Sequence, residues 1–194
     1  LILDGGCGLE LKKRKAEGQH VAYNLSLFSS AALLETPQAI VDLHRDYVLA
    51  GANVITTASY GVTRFYLDKV GRGRDVRQLA GMTVDLARKG IAAAQKGQES
   101  DGNIVLVAAS VPPLSESYRA DLVLDDEALK EQYAEIIPAL HHADVYLCET
   151  MSNMREAAVS VPLCVKTGKP VWASFTLKGT LETGVCLPDG TSVP

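Results

Sequence analysis

Asn53-Val54-Ile55-Thr56-Thr57-Ala58 is the stretch on which the fold reading turns. It is rich in β-branched residues, has the length of a strand, and follows directly on Gly51, a good helix stop. The helix before it opens at Thr36-Pro37, with Thr36 as N-cap and Pro37 at the first helical position. Ile40, Leu43, Tyr47 and Val48 give that helix an apolar face at i, i+3, i+4 spacing. His44, flanked by Asp42 and Arg45, reads as a partly exposed helix residue that hydrogen-bonds locally.

The same unit recurs in both directions along the chain. Upstream, Leu1-Ile2-Leu3 reads as a short buried strand that delivers Asp4 into the turn Gly5-Gly6-Cys7-Gly8, followed by a short helix over 10–18 and a polar loop over 18–30. Downstream, a long helix is expected over 72–96, with Leu79, Met82, Leu86 and Ile91 on one side, then a buried strand over 104–109 and a Pro-Pro loop. Asp125 or Asp126 caps a helix to about His142, and a strand follows over 145–149. A helix over 154–167, kinked or shortened by Pro162, leads to a fifth strand over 171–176. Apolar strands of five or six residues alternating with helices specify an α/β fold whose parallel sheet is buried on both faces.

Composition narrows the function. The 194 residues are 47% hydrophobic and 22% charged, and the net charge of −4 carries no block of either sign. Nothing electrostatic recommends a nucleic acid or an anionic membrane. The cluster Lys12-Lys13-Arg14-Lys15 reads as a solvated helix face. The longest uncharged apolar stretch, over 104–114, holds two prolines and falls far short of the ~20 residues of a membrane span. Cys7, Cys148, Cys164 and Cys186 show no C-x-x-C spacing, so reduced thiols in a cytoplasmic protein fit better than a disulfide framework.

Ligands of parallel βα folds bind at the C-terminal ends of the strands. Those ends are Asp4-Gly5, Thr56-Thr57, Ser110, Glu149-Thr150 and the stretch over 174–176. Two carboxylates at one rim suit general acid/base work or grip on a cationic group such as an ammonium. The bland alternative is that each caps the helix after it; their sharing one rim favours function. Gly6-Cys7-Gly8 begins like a dinucleotide fingerprint, but Leu11 stands where the third glycine belongs. His141-His142, at a helix end, reads as surface, and no histidine has a metal partner in sequence. Trp172 reads as core.

Several segments together resemble the homocysteine S-methyltransferase family. Residues 4–11 look like its opening D-G-G-x-G-T-E-L, with Leu9 in place of threonine. Phe28-Ser29-Ser30-Ala31 with 33–37 resembles its W-S-A-x-x-L-L-x-x-P, with Phe28 in place of tryptophan. His44 to Tyr47 and 50–60 are similar to H-x-x-Y and A-G-A-x-V-I-T-T-x-x-Y, and Glu149-Thr150-Met151, Glu156-Ala157 and Ser174-Phe175-Thr176 complete a collinear set.

The resemblance implies a (β/α)8 TIM barrel, of which this chain would supply about the first five βα units. Residues 1–194 would then be a single domain, an incomplete homocysteine-binding barrel. It implies a methyltransferase that moves a methyl group to the thiol of homocysteine, giving methionine. The donor would be a sulfonium, a betaine-like quaternary ammonium or a methylfolate. By motif position Asp4 and Glu149 would hold the substrate ammonium, while the Gly5 N–H and the Thr57 hydroxyl would steer its carboxylate end. The family's Zn2+ is held by three cysteines in an N-C and a G-G-C-C motif, and neither motif occurs in this sequence. No residue of this chain is therefore assigned to the metal, and the chain reads as the N-terminal portion of a longer protein, inactive alone. No catalytic residue is assigned, and a homo-oligomer is left open. The alternatives are a non-catalytic amino-acid-binding barrel and a Schiff-base enzyme using Lys178, the lysine just past the fifth strand.

Overall fold

Four strands, β1 (Val54–Thr56), β2 (Leu106–Val111), β3 (Val145–Met151) and β4 (Val171–Phe175), pair in parallel in their chain order. The computed structural model describes residues 1–96, 104–180 and 182–193. Leu3 makes one parallel bridge to Val54, which places the opening segment beside β1 as the fifth member of the arc. The expected buried first strand is thus reduced to one bridge. Leu1 is 83% exposed, because β1 is the one strand that pairs with this segment among the described residues.

Parallel neighbours require crossover connections, and helices supply them. Helix α1 (Cys7–Ala16) begins three residues earlier than expected, and α2 (Ser29–Glu35) occupies the end of what reads as loop. Between the first and second strands of the arc runs α3 (Pro37–Leu49); its Pro37 stands at the first turn as expected. Thr36 does not cap it, since its hydroxyl accepts the Ala22 N–H at 2.9 Å instead. A short α4 (Arg64–Leu67) precedes α5 (Val76–Gln95), which crosses to β2. Asp125 caps α6 (Asp126–Ala139) by accepting the Ala128 N–H, and Asn153 caps α7 (Met154–Val165) in the same way. Pro162 is accommodated inside α7 without ending it. A two-stranded antiparallel hairpin, β5 (Lys178–Thr180) with β6 (Gly184–Cys186), had no signal strong enough to anticipate: both strands are three residues long.

Strand alternation sorts side chains to two cores. Ile55, Val107, Ala109, Val111, Tyr146 and Cys148 join the helices in the main core. Val54, Ala108, Val145 and Leu147, with Leu106 and Trp172 against them, form a second cluster. Towards their C-terminal ends, the strands that build the second cluster change from apolar to polar: Val54 gives way to Thr56, Ala108 to Ser110 and Leu147 to Glu149.

The sequence reading of His44 is overturned. It is fully buried, and neither ring nitrogen has a hydrogen-bond partner among the described residues. Its polar neighbours are occupied elsewhere, Arg45 pairing with Asp42 at 3.1 Å and Asp46 at 2.8 Å. His44 is left facing α5, where Gly90 admits it: a Cβ there would stand 2.6 Å from the His44 Cβ. Burial pushes the imidazole down from 6.5 to about 4.

A group whose folded pKa lies below its unfolded value binds protons in the unfolded state first, so stability falls as pH drops from 6.5 towards 4. His44→Leu removes that slope. Urea unfolding at pH 7.5 and 5 should show the wild type losing about 2 kcal/mol more than the variant over this interval. Equal losses in both proteins would place a solvated, freely titrating imidazole at this position.

Candidate functional site

The polar strand ends open into a cavity of about 790 Å³, within the usual size range of small-molecule pockets. Asp4, Gly5, Thr57 and Glu149, the four residues singled out from sequence, all line it. Each arrives by a different local device.

Asp4 ends the opening segment, where its backbone N–H donates to Val54 O at 3.0 Å. Its Oδ2 then accepts the Thr56 N–H at 2.9 Å, so the carboxylate continues the ladder for one more residue. Burial, aided by the charge of Glu149, raises its pKa from 3.8 to about 6. Glu149 leaves β3 on the same side as Leu147, and its Oε1 accepts the Ser110 hydroxyl. Burial also raises its pKa. One oxygen of each carboxylate, Oδ1 and Oε2, has no hydrogen-bond partner among the described residues. Two desolvated carboxylates with one free oxygen each make a site for a cation with several N–H donors.

Gly5 lies close to Tyr47: a Cβ at that position would stand 2.8 Å from the Tyr47 hydroxyl and would have to displace the end of that ring. With Gly6, Cys7 and Gly8 it brings the N-terminal end of α1, which has no side-chain cap, to the cavity wall. Backbone N–H groups at such an end favour an anionic group.

Thr57 lines the cavity, but its hydroxyl is engaged within the fold. Ser59 Oγ donates to Ser110 O at 2.7 Å, so in the 2.8 Å contact between Thr57 and Ser59 the proton comes from Thr57. Thr57 Oγ1 also accepts the Ser110 N–H at 2.9 Å. The expected donation from this hydroxyl to a substrate carboxylate therefore competes with a buried bond that holds β1 to β2.

Cys7, the residue of the opening turn most suggestive of a nucleophile, is a poor one. Burial and the Asp4 charge push its thiol up to about 12, which keeps it protonated. Cys148 and Cys164 meet in the core with sulfurs 3.7 Å apart, and Cys186 lies in the hairpin. Among the described residues no three His, Cys, Asp or Glu side chains converge as metal ligands. The residues present do not fit a zinc centre. Lys178 donates to Pro188 O at 2.7 Å in the hairpin and is not part of the cavity wall.

An aromatic wall was missed in sequence. The chain has three phenylalanines and seven tyrosines, and six of these ten line this one cavity: Tyr23, Phe28, Tyr60, Phe65, Tyr66 and Tyr118. The Phe28 ring meets Tyr66 and Tyr60 edge to face, with centroids 5.4 and 6.3 Å apart. Tyr60 shares a 2.6 Å hydrogen bond with Ser117 across the mouth. Phe28, Tyr118 and Thr150 are the non-glycine residues with positive φ among the described residues, and all three line the cavity. Backbone strain of this kind costs about 1–3 kcal/mol per residue and gathers at working sites. The available signal was the clustering of Tyr60, Phe65 and Tyr66 within the ten residues that follow the strand end at Thr56.

The family model described as homocysteine S-methyltransferase matches residues 1–194. The homocysteine S-methyltransferase of Escherichia coli is 34% identical, covering 98% of this chain and 62% of its own length. Homocysteine S-methyltransferase YbgG of Bacillus subtilis is 29% identical, with 98% and 62% covered. The crystal structure of the homocysteine methyltransferase MmuM from Escherichia coli, in its metallated form, superimposes with a TM-score of 0.81 at 33% identity, covering 99% of this chain and 67% of that one. The chain thus spans under two thirds of the length of these two curated relatives.

Carboxyl titration followed by NMR tests the electrostatics of the site. Asp4 should titrate near 6, and Glu149→Gln should lower that midpoint yet leave it above 3.8, because burial is the larger cause. An Asp4 midpoint at its ordinary value in the wild type would mean a solvated carboxylate.

Proposed function

The chain belongs to the homocysteine S-methyltransferase family, and from that premise we propose that the whole protein transfers a methyl group to the thiol of homocysteine, giving methionine. The observation that carries this reading is the pair Asp4 and Glu149, each with one tied and one free carboxylate oxygen at the rim of an aromatic-walled cavity. The sheet is read as an arc of a (β/α)8 barrel. Its strands neighbour one another in chain order, and the second apolar cluster lies where such a barrel packs its interior.

In this reading the ammonium of homocysteine bridges Asp4 and Glu149, and its charge returns both carboxyls to the ionised form. The carboxylate of the amino acid turns to the open N–H groups at the start of α1, beside Gly5. Thr57 acts by locking Ser110, which in turn orients Glu149. The aromatic wall suits an onium donor, a sulfonium or a quaternary ammonium, whose positive methyl groups are attracted to ring faces; this favours those two classes over a methylfolate. Transfer forms a sulfur–carbon bond to homocysteine and breaks the bond from the methyl carbon to the donor heteroatom. The bond's electron pair stays with the donor, and the thiol proton is lost. Holding both partners in line supplies much of the rate.

The family's metal is expected to be zinc, and no described residue is assigned to it. Four free thiols suit a cytoplasmic location, and no described helix is long and apolar enough to cross a membrane.

The test is methyl transfer from S-methylmethionine and from glycine betaine to homocysteine by the full-length protein. Asp4→Asn and Glu149→Gln should each raise the homocysteine KM by roughly 10–100-fold, the range for losing a buried charge-assisted bond. Phe28→Ala should raise the donor KM instead. Homocysteine binding without turnover would favour a non-catalytic amino-acid-binding protein of the same fold.

A further inference from the structure

Among the described residues Lys69 is the one lysine or arginine on the cavity wall. It lies in a short 3-10 turn, Asp68–Val70, that continues directly from α4. Being three and four residues beyond Tyr66 and Phe65, its side chain folds back over both rings. The ammonium stands 4.2 Å from the Phe65 centroid and 4.7 Å from that of Tyr66. Contacts of this kind modestly favour one placement of an exposed cation and leave its N–H donors free.

The two arginines that flank this segment on either side are paired. Arg64 pairs with Glu131 and Glu135 at 3.0 Å each, and Arg72 pairs with Asp75. Lys69 has no carboxylate within 4.0 Å and no hydrogen-bond acceptor among the described residues. Its neighbour Asp68 points its carboxyl at Gly73, and Glu116, whose charge is felt at Tyr66, lines the same cavity without making an ion pair to Lys69 within 4.0 Å. The cavity wall therefore carries charges of both signs. The strand ends present carboxylates for a cation, and beside Phe65 and Tyr66 stands an ammonium with no ion pair among the described residues.

We propose that Lys69 is a specificity residue that reads the carboxylate of the methyl donor. The inference rests on the methyltransferase reading above and adds to it a requirement on the donor. The donor must carry a carboxylate as well as an onium centre, the former at Lys69 and the latter along the row from Tyr66 through Phe28 to Tyr60. Homocysteine has its own anion site at the start of α1 and does not need Lys69.

The experiment is steady-state transfer to homocysteine by the full-length protein, using S-methylmethionine and its α-decarboxylated counterpart, (3-aminopropyl)dimethylsulfonium. Lys69→Met should raise the KM for S-methylmethionine by about tenfold, while the KM values for homocysteine and the decarboxylated donor stay within about twofold. Lys69→Arg should restore most of the loss. Lys69 is exposed, so neither substitution disturbs the core. Equal effects on the two donors, no effect on either, or a wild type that uses both donors equally well would overturn the role of Lys69 and leave the methyltransferase reading standing. A wild type that transfers no methyl group to homocysteine from any onium donor would overturn that reading, and this one with it.

Discussion

A single hydrogen bond, from the Thr56 N–H to Asp4 Oδ2, joins the architecture of this protein to its chemistry. The backbone ladder between the opening segment and β1 stops at Leu3 and Val54. Without a further acceptor, the Thr56 N–H would end in a largely buried place at a cost of about 1–3 kcal/mol. Asp4 supplies the acceptor from its side chain. The same act removes the carboxyl from water, leaves its second oxygen free, and sets it beside the charge of Glu149. Glu149 is built on the same plan, with the Ser110 hydroxyl in place of the backbone donor. Each carboxylate is thus half structural and half available, which fixes its direction without using up its capacity.

The cavity between them stores strain that the rest of the molecule must offset. Phe28 at φ 49° and ψ −130° occupies backbone space that glycine prefers, and Thr150, a β-branched residue, sits at φ 61°. Their conformations are held from behind. Ser29 Oγ donates to Ala58 O next to Phe28, and the Thr150 N–H donates to Ser174 Oγ on β4. Glu156 Oε1 takes the Leu114 N–H at 2.9 Å and so anchors the start of the loop that carries Ser117 and Tyr118 to the mouth. The helix-side core provides the rigid backing on which this strained rim is mounted.

How much of this is legible in the sequence follows from what each feature depends on. Strands β1 to β4 are visible because runs such as Val145-Tyr146-Leu147-Cys148 must be apolar on both faces, and a change to Glu149 marks the rim whatever surrounds it. Caps that are local, such as Asp125, are visible too; Thr36 is not, because its hydroxyl is claimed by Ala22, fourteen residues away in sequence. The depth of His44 depends on α5 approaching through Gly90, a distant residue with no signature of its own. The aromatic wall gathers Phe28, Tyr60, Phe65 and Tyr118 from three separate connections between strands, Phe65 from the short helix α4 within one of them, and no periodicity connects them.

The role of Thr57 sharpens most when geometry replaces motif. A hydroxyl at a strand end looks like a ligand to whatever the cavity holds, yet its one proton is spoken for by Ser59 and its oxygen by the Ser110 N–H. Removing the hydroxyl would orphan a buried N–H on β2 and loosen Ser110, the residue that holds Glu149. The motif pair Thr56-Thr57 thus serves the carboxylates twice. The Thr56 backbone orients Asp4, and the Thr57 side chain orients Glu149 through one intermediate. A cation bound between the two carboxylates is therefore positioned by β1 on both sides, although β1 itself contributes no charge.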